Sequence, residues 1–153
     1  MIHRNGNWDK TYRVYMVFEQ RGRAGQEYEA DTLKVEVTDG RQVYDLKQIV
    51  HHSPTGMMCG YGGSGPADLA LTILADHFEE GPRKVLAALE HGFHRSKAAQ
   101  TYHFFKSNSP IASMKMKERS SDNDPEHLEE WTITQAEIRE ILRDFEFAEG
   151  TSA

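Results

Sequence analysis

"SPTGMMCGYGGSGPADLALTIL", residues 53–74, carries glycines at 56, 60, 62, 63 and 65, then Pro66, then a dense apolar run. It can be a loop that cradles a phosphate, or a tight turn into a buried helix. The apolar run bears on the fold first. Leu69, Ile73, Leu74 and Phe78 follow helical spacing. Ala67, Ala70, Leu71 and Ala75 fill most of the other faces. A helix apolar nearly all round is a buried one, so a core helix is expected over 66–78.

Upstream of this run the period is two. Tyr12, Val14, Met16 and Phe18 alternate with Arg13, Tyr15, Val17 and Glu19, which reads as a strand. Leu33, Val35 and Val37 alternate with Lys34, Glu36 and Thr38, and Asp39-Gly40 turns the chain toward Val43 and Tyr44. A small antiparallel sheet is therefore expected within about 11–50. Downstream, "EEGP" stops the core helix, with Gly81 as the candidate C-cap. Residues 83–106 read as a second helix, broken at Gly92, with a stripe of Val85, Leu86, Leu89, Phe93, Tyr102 and Phe105. Residues 118–130, "ERSSDNDPEHLEE", read as a polar acidic loop. The last helix is expected over 134–146: Thr134 with Glu137 makes a capping box ahead of Ile138, Ile141, Leu142 and Phe145. The expected class is α+β, one domain over 1–153, with a small N-terminal sheet against about three helices.

Composition narrows the function. The net charge is −6, but it is unevenly placed. Residues 83–117 hold 7 Lys/Arg against 1 Asp/Glu, and residues 118–153 hold 3 against 11. Overall acidity weighs against direct nucleic-acid binding, whose affinity comes mostly from phosphate neutralisation. One cysteine, Cys59, permits no intrachain disulfide and suits a reducing cytoplasm. The N-terminus lacks the apolar core of a signal peptide, and no apolar stretch is long enough to span a membrane.

The glycine loop fails two nucleotide templates. Gly60, Gly62 and Gly65 match G-x-G-x-x-G, but no buried strand precedes them and another helix follows. Gly60 and Gly65 have the phosphate-loop spacing, but Pro66 and Ala67 stand where Lys and Ser/Thr are needed. A helix N-terminus still favours an anion. Pro66 removes one donor there, and Asp68 in the first turn would compete for the N–H groups. The ligand-binding candidates are Gly60, Tyr61, Gly62, Gly63, Ser64, Gly65 and Asp68, with Tyr61 the residue to stack on a ring. The alternative is that these glycines only allow a turn and close packing.

Other chemistry is thinner. His91 and His94 could share a helical face beside Glu90, but no third metal ligand follows. His51 and His52 read as surface or capping histidines. Cys59 reads as a small packed residue, and Ser64 in "GGSGP" is not a hydrolase elbow. Arg95, Lys97, Lys106, Lys115 and Lys117 interleave with Tyr102, His103, Phe104 and Phe105, a pattern that can bind single strands but suits core packing better.

"HHSPTGMMCGYGGSGPADLALTILADHF", "YHFFK" and "WTITQAEIREIL" together resemble a family of small bacterial and phage proteins, the domain of unknown function 6166. Its pattern of H-S-P-x-G, G-Y-G-G-S-G-P-A-x-L-A-L, F-K and W-x-L-T-x-x-E-I falls on His52–Gly56, Gly60–Leu71, Phe105–Lys106 and Trp131–Ile138. Met57, Met58 and Cys59 replace an aromatic that members usually carry before the glycine run. The resemblance implies a fold and a phage or mobile-element context, and no mechanism.

The resulting expectation is a non-enzymatic, cofactor-free cytoplasmic protein that binds a host protein complex, including one of host defence. Asp122, Asp124, Glu126, Glu129, Glu130, Lys115 and Lys117 are its candidate partner contacts. The alternative is a binder of a nucleotide or other anion at Gly60–Asp68. Homodimer formation stays open.

Overall fold

The computed structural model describes residues 9–40, 42–50, 52, 56–60, 64–105, 111, 117–118 and 129–148. Strand β1 (Thr11–Arg21), β2 (Tyr28–Asp39) and β3 (Gln42–Leu46) form the N-terminal antiparallel sheet. Gly40 turns β2 into β3 with φ +57°, a conformation that costs glycine little. Helices α1 (Ser64–His77), α2 (Pro82–His91) and α3 (Lys97–Phe105) follow, with a short 3₁₀ turn at Phe93–Arg95. Strands β4 (Lys117–Glu118) and β5 (Glu129–Thr134) return to the sheet, and α4 (Gln135–Ala148) ends the fold. The class is α+β.

The sheet has five strands in the order β3-β2-β1-β5-β4, all antiparallel. Register explains its sidedness. Leu46, Val35, Val14 and Trp131 lie in one cross-strand row, and Tyr44, Val37, Tyr12 and Ile133 in the next. These two rows, with Leu33, meet the helices in one core that includes Leu69, Ile73, Leu74, Val85, Ala98, Ile138 and Leu142. On the opposite face Arg13 donates from Nε to Glu130 Oε2 at 2.5 Å and lies 4.2 Å over the Tyr15 ring. Helix α1 is buried from Gly65 through Ala75, as its apolar circumference requires.

Three expectations change. Trp131–Ile133 belong to a strand, and Glu129 and Glu130 are part of it, so the segment 118–130 is a loop only between strands; its residues 119–128 lie outside the described set. Gly81 does not cap α1. Glu79 takes the left-handed position instead (φ +57°), and the Glu80 N–H donates to the Ala75 carbonyl in a Schellman closure. Gly81 becomes the N-cap of α2, ahead of Pro82. In α2 the buried stripe is Val85 and Ala88, while Leu86 is 43% exposed. The expected break at Gly92 is present, and so is the capping box: Thr134 N–H donates to Glu137 Oε1 (3.0 Å), and Glu137 N–H to Thr134 Oγ1 (3.1 Å).

Candidate functional site

Asp68 is the centre of the site. It is the fifth residue of α1, because the helix begins at Ser64 rather than at Pro66. The first-turn position expected for it is therefore wrong. The side chain is fully buried, and it receives side chains from the chain segment that leads out of β3. Gln48 Nε2 donates to Oδ2 at 2.9 Å. His52 Nδ1 lies 2.9 Å from Oδ1. A carboxylate only accepts, so the hydrogen of this bond sits on Nδ1. Thr72 Oγ1 donates to the Asp68 carbonyl one turn on, at 2.8 Å.

The His52 side chain is 46% exposed. Its ring lies nearly parallel to that of Tyr102 on α3, with centroids 6.0 Å apart and an interplanar angle of 10°. The Tyr102 hydroxyl is 3.3 Å from His52 Nδ1. Burial pushes the Tyr102 hydroxyl pKa up, and the nearby Asp68 charge adds to the shift. Among the described residues nothing bonds His52 Nε2. A buried acid thus orients a half-exposed imidazole whose second nitrogen points away from it. This arrangement can accept a hydrogen bond or a proton at Nε2.

The other expected ligand residues divide. Gly60 has φ +88°, so a side chain there would be strained. Ser64 is exposed at the start of α1. Gly65 has a packing reason. A Cβ there would stand 3.2 Å from Met58 Cβ, 3.3 Å from Met58 N and 3.4 Å from the Gly56 carbonyl oxygen. It sets the close approach of the incoming chain to α1. Tyr61, Gly62 and Gly63 lie outside the described residues. Met57 and Cys59 face the core, and the Trp131 indole N–H donates to Cys59 Sγ at 3.4 Å, so the thiol is a packed group.

The expected partner contacts are not gathered at one described place. Lys115, Asp122, Asp124 and Glu126 lie outside the described residues. Lys117 pairs with Glu130, and Glu118 with Glu129, in an edge hairpin. Among the described residues no group of three or more His, Cys, Asp or Glu is placed to hold a metal ion. His91 lies only 3.8 Å from Glu90, with both side chains more than half exposed. No helix among them is long and apolar enough to cross a membrane.

Sequence reasoning named His52 and Asp68 separately and did not join them. Asp68 stands sixteen positions after His52, across a glycine-rich turn, so no helical or strand period links the pair. Gln48 carried no signal of its own, and Tyr102 was read only as part of an apolar helical stripe and a basic–aromatic pattern. His52 falls inside the H-S-P-x-G segment, whereas Asp68 falls on the position that the glycine-core pattern leaves open. No curated protein and no solved structure matches the chain. One family model matches residues 23–144, most of the chain and all of this site; the protein belongs to the Family of unknown function (DUF6166).

Proposed function

We propose that the protein binds a small ligand at the corner formed by His52 and Tyr102. The observation that carries this reading is the His52–Asp68 pair. A carboxylate with no solvent exposure is costly to bury, and its hydrogen bonds hold one exposed ring in one orientation. Packing alone does not need a half-exposed histidine there. The test is mass spectrometry of small molecules released from the denatured protein, together with thermal-shift profiling. The wild type should release a compound, or gain several degrees from one, that His52→Ala does not hold. A wild-type protein that carries nothing, and that no member of a broad metabolite set stabilises, would sink the reading.

A second reading has its own observation. Strands β4 and β5, which flank residues 119–128 in the sequence, pair at the edge of the sheet. That stretch of sequence carries Asp122, Asp124 and Glu126, an acidic charge that would suit a basic partner such as a host protein complex. Inhibition of a phage-directed host defence is one role for such a contact. A stoichiometric partner should then be lost with Asp122→Asn/Asp124→Asn/Glu126→Gln, and lost with rising salt. Retention by the neutralised variant argues against it.

A further inference from the structure

Resting on the ligand-binding reading above, we propose that this corner takes a hydrogen-bond donor, a hydroxyl or an amine on a ring-bearing ligand, with His52 Nε2 as the acceptor. The glycine-rich turn by itself suggests the opposite, an anion at a helix N-terminus. Three observations favour a donor.

Asp68 sets the tautomer. Its Oδ1 takes the Nδ1 hydrogen of His52. In a neutral imidazole the remaining nitrogen then offers a lone pair. Gln48 holds the other carboxylate oxygen, so Asp68 cannot turn away without breaking a second bond. The His52 side chain is 46% exposed and its ring lies parallel to that of Tyr102; a ring flip would cost the bond to Asp68.

Asp68 brings a negative charge to the corner. Burial and the Asp68 charge both disfavour ionising Tyr102, so its hydroxyl stays protonated beside the acid. Asp68 stands four residues into α1, about 6 Å along the axis from its start. A full negative charge there offsets the half charge of the helix N-terminus. An incoming phosphate would meet the Nε2 lone pair with the buried Asp68 charge behind it, whereas a hydroxyl or amine would find that lone pair as its acceptor.

The rings supply the rest of the recognition. His52 and Tyr102 present adjacent aromatic rings, which suit a planar apolar group next to the donor.

The test reads the acceptor atom directly. Protein labelled with ¹⁵N in its histidines is held near pH 8, where an ordinary imidazole is neutral. Long-range ¹H–¹⁵N spectra are followed while benzyl alcohol, benzylamine, benzoate or phenyl phosphate is added. The Nε2 resonance of His52 should be that of an unprotonated nitrogen. Benzyl alcohol and benzylamine should move it saturably, and benzoate and phenyl phosphate should not. Asp68→Asn should mix the two tautomers and weaken benzyl alcohol about tenfold, the loss of one good hydrogen bond. His52→Gln keeps a donor for Asp68 and assigns the His52 Nε2 resonance by its disappearance. A protonated Nε2, a shift caused by the two anions, or no shift with any of the four overturns the proposal. A natural anionic ligand recovered from the protein would overturn it while leaving the binding reading intact; recovery of no ligand and no shift removes both.

Discussion

Asp76 holds three donors: the Tyr12 hydroxyl at 2.6 Å, the Tyr44 hydroxyl at 2.8 Å and the Lys10 ammonium at 3.1 Å. Tyr12 is wholly buried, and its hydroxyl has this carboxylate as its hydrogen-bond acceptor. Burial, then the bond to Asp76, pushes the Tyr44 pKa up to about 12. Replacing the acceptor strands donors, which costs more than removing one donor. Asp76→Ala should therefore lose about 3 kcal/mol in chemical denaturation, and Tyr12→Phe only about 1 kcal/mol. A smaller loss for Asp76→Ala than for Tyr12→Phe would show that the cluster is solvated. The neighbouring His77 sets a pH dependence. Burial, helped by the charges of Arg139 and Lys10, lowers its pKa to about 4. The unfolded chain takes up this proton near pH 6.5, before the folded chain does. Stability from His77 is full above about 6.5 and declines as the pH falls toward 4. Urea midpoints at pH 7.5 and pH 5 should differ in the wild type, and His77→Gln should narrow the difference. An unchanged difference would place its origin elsewhere.

At the scale of elements, Glu80 links α1 to α3. The carboxylate accepts from Ser96 Oγ at 2.7 Å and from the N–H groups of Ala98 and Lys97 at 2.9 and 3.0 Å. Burial alone would raise its pKa, but these bonds and Lys84 hold it below the usual glutamate value. One residue thus closes the end of α1 with its backbone and caps α3 with its side chain. Glu80→Ala should cost about 2 kcal/mol. Amide exchange of Lys97 and Ala98 should quicken more than that of the sheet; uniform quickening would mean no local role. The capping box of α4 makes a smaller contribution. Thr134→Ala should cost about 1 kcal/mol, measured by the same denaturation. Gly81 shows why a local signal misleads here. Glycine before proline is a good helix stop, yet α1 ends earlier, where Glu79 takes the left-handed conformation and leaves Glu80 to bond the start of α3.

Across the whole molecule, β1 sits between β2 and β5, and the β1–β5 register joins Thr11 to Thr134. The sheet therefore closes only when the two ends of the chain meet. A chain ending at residue 128 lacks Trp131 and Ile133 from the core rows and leaves β1 an open edge. It should show no cooperative thermal transition; a sharp one would mean that β1–β3 and the three middle helices suffice. The strands β1 to β3, the buried circumference of α1 and the start of α4 were legible in the sequence, because each rests on a local period, turn or cap. Residues Trp131–Ile133 were not, since three residues before a capping box show no period and their partner lies over a hundred residues away. The candidate site divides in the same way. Sequence by itself determined that a glycine-rich turn enters a buried helix carrying Asp68, since spacing and glycine stereochemistry are local. Only tertiary structure decided what Asp68 does. Its partners Gln48 and His52 come from the exit of β3, His52 in turn lies against Tyr102 of α3, and hydrogen bonding at 3 Å between such segments depends on how layers pack, which no local pattern encodes.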